Sequence, residues 1–128
     1  MPGDALVNYH SNMKESIVLI NPDAIQRAMN NLVKNGIQAT KEGVEPIVDI
    51  YIENKESKAL ITIKDNGTGI PIELHNHIFE PNFSTKNSGM GLGLAIVKKI
   101  IERANGSIWF ETEQNVGSTF YIELDLAK

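Results

Sequence analysis

No cysteine occurs in this sequence, so disulfides and thiolate chemistry are both closed to it, and a reducing cytoplasm is the compartment that fits. Long hydrophobic runs are missing too. Every apolar stretch falls well below the roughly 18 residues of a membrane-spanning helix, and Met1-Pro2-Gly3-Asp4 is not the start of a signal peptide. Positive charge is scarce relative to negative. The 12 Lys and Arg face 16 Asp and Glu, a formal net charge of −4, so the broad basic field of a DNA- or RNA-binding surface is lacking. There is no internal repeat, low-complexity tract or linker-like run. The pattern G-x-x-x-x-G-K-[ST] is also absent, which sets aside P-loop nucleotide binding. These absences describe a soluble, cytoplasmic piece with no nucleic-acid partner and no direct membrane contact.

What is present has ordinary globular composition. Hydrophobic residues make up 41% and charged residues 22%, far from the signature of disorder, and 128 residues suit one compact domain, 1–128. An acidic chain of this kind can still bind a polyanion if a metal ion, backbone N–H groups and a few cations meet its charge at one focused site.

Residues 5–9 and 16–20 carry β-branched and apolar side chains and read as two short strands around a polar turn. Asn21 is a good N-cap, and Pro22 suits the first helical position, where its missing N–H costs nothing. Ile25, Met29, Leu32, Val33 and Ile37 then fall on one helix face, and the helix is expected to end near residues 41–43. Residues 47–53 and 59–65 alternate apolar and polar around the turn 54–58, a β-hairpin. From 66 to 91 periodicity disappears, and four glycines, two prolines and four asparagines mark a long functional loop. A second helix, 92–104, offers Ala95, Ile96, Ile100, Ile101 and Ala104 to the core and closes at Asn105-Gly106. Strands 107–112 and 118–126 complete the chain around the turn 113–117. The fold class is α+β: a two-layer α/β sandwich, with a mixed, mostly antiparallel sheet and helices on one face.

Three segments carry chemistry. Asn31 and Asn35 stand four apart and project from the same helix face, which suits either a solvated surface or an amide oxygen wanted as a hard ligand for Mg²⁺. Asp65-Asn66-Gly67-Thr68-Gly69-Ile70 ends a strand with an acceptor-only carboxylate, able to receive a purine amino group, while the glycines let backbone approach a ring. Gly89-Met90-Gly91-Leu92-Gly93 opens the second helix, where free N–H groups and the helix dipole favour phosphate; a flexible hinge would use the same glycines. This run follows a loop, not a strand, which weighs against a dinucleotide fold.

In this order, and with Gly117-Ser118-Thr119 before the last strand, the segments resemble the motif sequence of the GHKL ATPase and kinase superfamily, whose fold is the Bergerat fold. Residues 78–86, Ile-Phe-Glu-Pro-Asn-Phe-Ser-Thr-Lys, resemble the F box of its sensor histidine kinases. The resemblance covers about residues 20–126. It implies ATP and Mg²⁺ as cofactors, with Asn35 on the metal and Asp65 on the adenine amino group. Gly67, Gly69 and Ile70 would shape the adenine pocket, with Thr119 behind the ring. Gly89, Gly91, Leu92 and Gly93 would meet the phosphates, and a lid of about residues 70–90 would close over them. Thr85 lies in that lid, as does Lys86, which is either the cation on the γ-phosphate or a solvated loop lysine. Phe79 and Phe83 would anchor the lid on the body.

In the superfamily's hydrolases a glutamate stands one turn before the metal-binding asparagine as general base. Here that position is Asn31, whose amide cannot take a proton at neutral pH, so positioning for a kinase is implied instead of hydrolysis. The acceptor histidine of such kinases sits on a separate dimerisation domain. His10, His75 and His77 lack its sequence context and read as exposed or weakly packed loop residues. The implied function is ATP-Mg²⁺-dependent phosphorylation of a histidine in a two-component sensor, with a response regulator downstream. The alternatives are a serine kinase of the anti-sigma type and a non-catalytic ATP-binding switch.

Overall fold

The computed structural model describes residues 6–11, 22–39, 41–80 and 90–125. Five strands form one sheet in the order β1-β2-β3-β5-β4. They are β1 (Leu6–Ser11), β2 (Ile47–Lys55), β3 (Lys58–Asp65), β4 (Ser107–Glu113) and β5 (Gly117–Asp125). Two helices, α1 (Pro22–Gln38) and α2 (Met90–Arg103), pack on one face. Strand β1 runs parallel to β2 because α1 carries the chain back between them, whereas every other pairing is antiparallel. The expected two-layer architecture is therefore observed. The expected strand at 16–20 lies outside the described residues.

The core is the face where sheet and helices meet. Val48, Ile50, Ile61, Ile63, Phe120, Ile122 and Leu124 from alternate strand positions pack with Ala28 and Leu32 of α1 and Leu94, Val97 and Ile101 of α2. Each of the larger side chains, fully buried, stabilises the fold by about 1.5–3 kcal/mol. The opposite face has no helix over it among the described residues. There, cross-strand pairing aligns His10, Tyr51, Thr62, Tyr121 and Trp109 in one row, with His10 stacked on Tyr51 and Trp109 on Tyr121.

Several expected boundaries move. Helix α1 stops at Gln38 because the Ala39 carbonyl accepts the Thr68 N–H at 2.8 Å in place of a helical partner. The β2–β3 turn is narrower than expected, with Glu56 at φ 57°, and the strands lengthen to match. Residues Ile72–Leu74 form a short 3-10 helix inside the expected loop. Helix α2 begins two residues early, at Met90, and its buried stripe is Leu94, Val97 and Ile101. Ala95 and Ile96 remain only half-buried, because full burial goes to the stripe at i, i+3 and i+7 that faces the core. Asn105 takes the left-handed cap at φ 61°, as expected.

Candidate functional site

Asp65 is the last residue of β3, and although it is a carboxylate it points to the helix side of the sheet, only 8% exposed. Two backbone donors hold its Oδ1: the N–H of Gly67 at 2.9 Å and that of Ser118 at 3.1 Å. The first is a local turn around an acidic side chain. The second exists because β5 lies antiparallel to β3, which brings the start of β5 beside the end of β3. Oδ2 has no donor among the described residues and stays available as an acceptor. Burial pushes the Asp65 carboxyl above the usual carboxylate range, while the two N–H bonds pull it partly back.

The loop after Asp65 threads between α1 and the β4–β5 turn. Thr68 donates to Ala39 at the end of α1 and accepts the Asn115 N–H at 2.7 Å from the turn. Lys41 caps the same turn through its Nζ, 2.8 Å from the Asn115 carbonyl. A Cβ on Gly67 would stand 2.6 Å from the Ala39 carbonyl oxygen, and Gly69, at φ +79°, would drive one to 2.5 Å from that of Glu113. Only glycine lets backbone approach this closely. Asn66 pins the other side, accepting the Ile47 N–H and donating to the Glu45 carbonyl. Ile70 leaves the loop with its N–H on Thr112 Oγ1 at 2.9 Å.

Helix α1 brings its amides to the same end of the sheet. Gly36 packs so closely on Asp65 and Val48 that an added Cβ would lie 3.1 Å from each. Beside it, Asn35 is 7% exposed, and its buried Nδ2 has no hydrogen-bond partner among the described residues. A buried amide left unpaired costs about 1–3 kcal/mol, which native folds tolerate where a ligand completes the bond. Asn31, one turn earlier, faces α2, with its Cγ 3.7 Å from where a Gly93 Cβ would be. Gly93, in the first turn of α2, thus stands next to Asn31.

Thr119 is not brought to Asp65. It pairs with exposed Lys64 and Glu111, and strand alternation turns it away from the helices. The hydroxyl residue on the Asp65 side is Ser118, 5% exposed, which the sequence reading passed over although a period-two count back from core residue Phe120 selects it. Thr85, Lys86, Gly89 and Phe83 lie outside the described residues. Phe79 packs on the body as expected, edge-on to Phe110 and Phe120 and with Lys98 Nζ over its ring, beside fully buried Ile78. Two histidines depart from the loop reading. His10 belongs to β1, and half-buried His75 bonds the Ile70 carbonyl at 2.9 Å and packs edge-on to Phe110. Among the described residues, no cluster of His, Cys, Asp and Glu could hold a metal ion by itself, and no helix is long and apolar enough to cross a membrane.

This arrangement has a buried acceptor at a strand end, glycines against the backbone, and a glycine in the first turn of a helix beside Asn31. It coincides with a match over residues 20–128 to the family described as histidine kinase-, DNA gyrase B- and HSP90-like ATPase. The chain belongs to this ATPase family. Sporulation kinase C of Bacillus subtilis is 37% identical over 110 residues, covering 84% of this chain and 25% of that protein. Sensor histidine kinase ZraS of Escherichia coli is 35% identical over 103 residues, covering 80% and 22% respectively. Among solved structures, the catalytic domain of histidine kinase ThkA superposes with a TM-score of 0.82 at 34% identity, covering 94% of this chain and 78% of that one. The chain thus spans about a quarter of the length of the curated relatives it matches. Within the ATPase family, its fold and relatives are those of the ATP-binding catalytic domain of sensor histidine kinases.

Proposed function

We propose that this chain, residues 1–128, binds ATP with Mg²⁺ and delivers the γ-phosphoryl group to a histidine on a separate dimerisation domain. A response regulator would then accept the phosphoryl group from that histidine. The observation that carries the reading is Asp65: a buried carboxylate with one oxygen held by two backbone donors and the other without a donor among the described residues fits the exocyclic amino group of adenine. Gly67, Gly69 and Ile70 form the neighbouring wall, and Ser118 replaces Thr119 as the hydroxyl beside it.

The phosphates would lie toward α2, where the N–H groups of Gly91, Leu92 and Gly93 would meet anionic oxygens, with Gly89 of the same sequence run as a further contact. Asn35 fits a metal-bound triphosphate, since its amide carries an oxygen that can serve as a hard ligand at a buried position. Mg²⁺ bound there supplies charge neutralisation across the phosphates. Lys86, with Thr85 in the lid of about residues 70–90, supplies a further cation at the γ-phosphate. Asn31 faces the α2 start with no basic group, which leaves water unactivated until an acceptor arrives. Transfer then consists of attack by the acceptor ring nitrogen on the γ-phosphorus, cleavage to the bridging oxygen and departure of ADP.

The test is to mix the chain with radiolabelled ATP-Mg²⁺ and the separately made dimerisation hairpin of its parent protein. Acid-labile, base-stable label on the hairpin is expected. Label that fails to appear, with ATP binding intact, would leave an ATP-binding switch in place of a kinase.

A further inference from the structure

Thr112, in β4, belongs to none of the glycine-rich or asparagine segments, yet its hydroxyl is the centre of a network next to Asp65. The Ile70 N–H donates to Oγ1 at 2.9 Å, Ser118 Oγ lies at 2.8 Å, and the Gly117 carbonyl lies at 3.2 Å. A hydroxyl has one proton and two lone pairs, so these three contacts use its whole capacity. With the proton on the Gly117 carbonyl, Thr112 accepts from both Ile70 and Ser118, and Ser118 is left as an acceptor. With the proton on Ser118 Oγ, the Ser118 proton is released as a donor instead. Thr112 therefore governs what Ser118 offers, at a residue whose own N–H is bound to Asp65 Oδ1. Through Ile70 it also sets where the loop leaves Gly69.

We propose that Thr112 is a positioning residue for base recognition: its hydroxyl orients Ser118 and fixes the Ile70 backbone, and so tunes the adenine edge presented to Asp65. This rests on the ATP reading above. A residue that merely closed the β4–β5 hairpin would alter stability and all nucleotides alike. A residue acting on the base edge alters discrimination between bases.

The experiment titrates the chain with ATP-Mg²⁺ and with ITP-Mg²⁺, whose base carries a carbonyl in place of the amino group, and follows thermal melting in parallel. Thr112→Val keeps the shape and removes the hydroxyl. It is expected to weaken ATP roughly tenfold while ITP changes less than about twofold, the scale of one lost hydrogen bond. Thr112→Ser should restore ATP to within about threefold, since it returns the hydroxyl. Ser118→Ala should reproduce the loss of discrimination without touching the Ile70 bond, which keeps the test decisive if the valine variant folds poorly. Discrimination that survives Thr112→Val or Ser118→Ala, or a serine variant as poor as valine, overturns the proposal alone. A wild-type chain that binds ATP and ITP equally overturns the adenine reading of Asp65 and the proposal with it.

Discussion

The Ser118 backbone N–H donates to Asp65 Oδ1 at 3.1 Å across 53 positions of sequence. One bond thereby ties the end of β3 to the start of β5, and the acid is oriented by two elements instead of one. Among the described residues Oδ2 is left without a donor, so altering Asp65 separates binding from folding.

Asp65→Asn is expected to abolish most ATP binding while preserving the fold. The amide still accepts the Gly67 and Ser118 N–H bonds through its oxygen, but its nitrogen then faces the adenine amino group as a second donor. A lost bond to a charged group is worth about 1.5–3 kcal/mol, or roughly 10- to 150-fold in affinity. Calorimetric titration checks the affinity, and a melting temperature within a few degrees of wild type checks the fold; wild-type affinity would remove Asp65 from the site.

The pH dependence has two opposite arms. Burial raises the Asp65 pKa in the folded state, so folding favours the protonated acid. Its contribution to stability is therefore fully present below the unfolded carboxylate pKa and is lost as pH rises through the raised folded value. ATP binding runs the other way, since it needs the ionised acceptor, and should fall as pH drops through that raised value. Urea denaturation and ATP titration across the acid range, with Asp65→Asn as the non-titrating reference, read the two arms. A wild-type-minus-variant stability difference that is flat with pH would contradict the raised pKa.

Gly117→Ala should be far more damaging than Gly43→Ala. A Cβ on Gly117, at φ +144°, would fall 2.0 Å from the Asp65 carbonyl oxygen, whereas one on Gly43, at φ +78°, would meet nothing within 4 Å. The second change is limited to backbone strain of about 1–2 kcal/mol. The first adds a clash with main chain and should exceed about 3 kcal/mol or prevent folding. Equal denaturation midpoints for the two variants would mean that β5 does not start against Asp65 as described.

Asn35→Ala should remove the metal-dependent part of ATP affinity and leave the rest. Titrations with Mg²⁺ should show a weakening of about tenfold or more, and titrations in EDTA should match wild type. An equal loss in EDTA would assign Asn35 to packing against the core and not to the metal.

Local patterns in the sequence determined the element types, the α+β class and the Asn31/Asn35, Asp65–Gly69 and Gly91–Gly93 segments that those elements carry. They are legible because helical and strand periodicity, caps and glycine turns depend on neighbours a few residues away. The F-box and glycine motifs made the family recognisable in the same local way. Only the tertiary structure decided which hydroxyl stands beside Asp65. Ser118 and Thr119 are adjacent and chemically alike, and the strand register that turns Ser118 inward is set by the pairing of β5 with β3. The seat of α2 was likewise decided in three dimensions, since Leu94, Val97 and Ile101 win burial by facing sheet and α1 together. The Thr112 network joins β4, β5 and the loop at Ile70, and no spacing within one segment could have announced it.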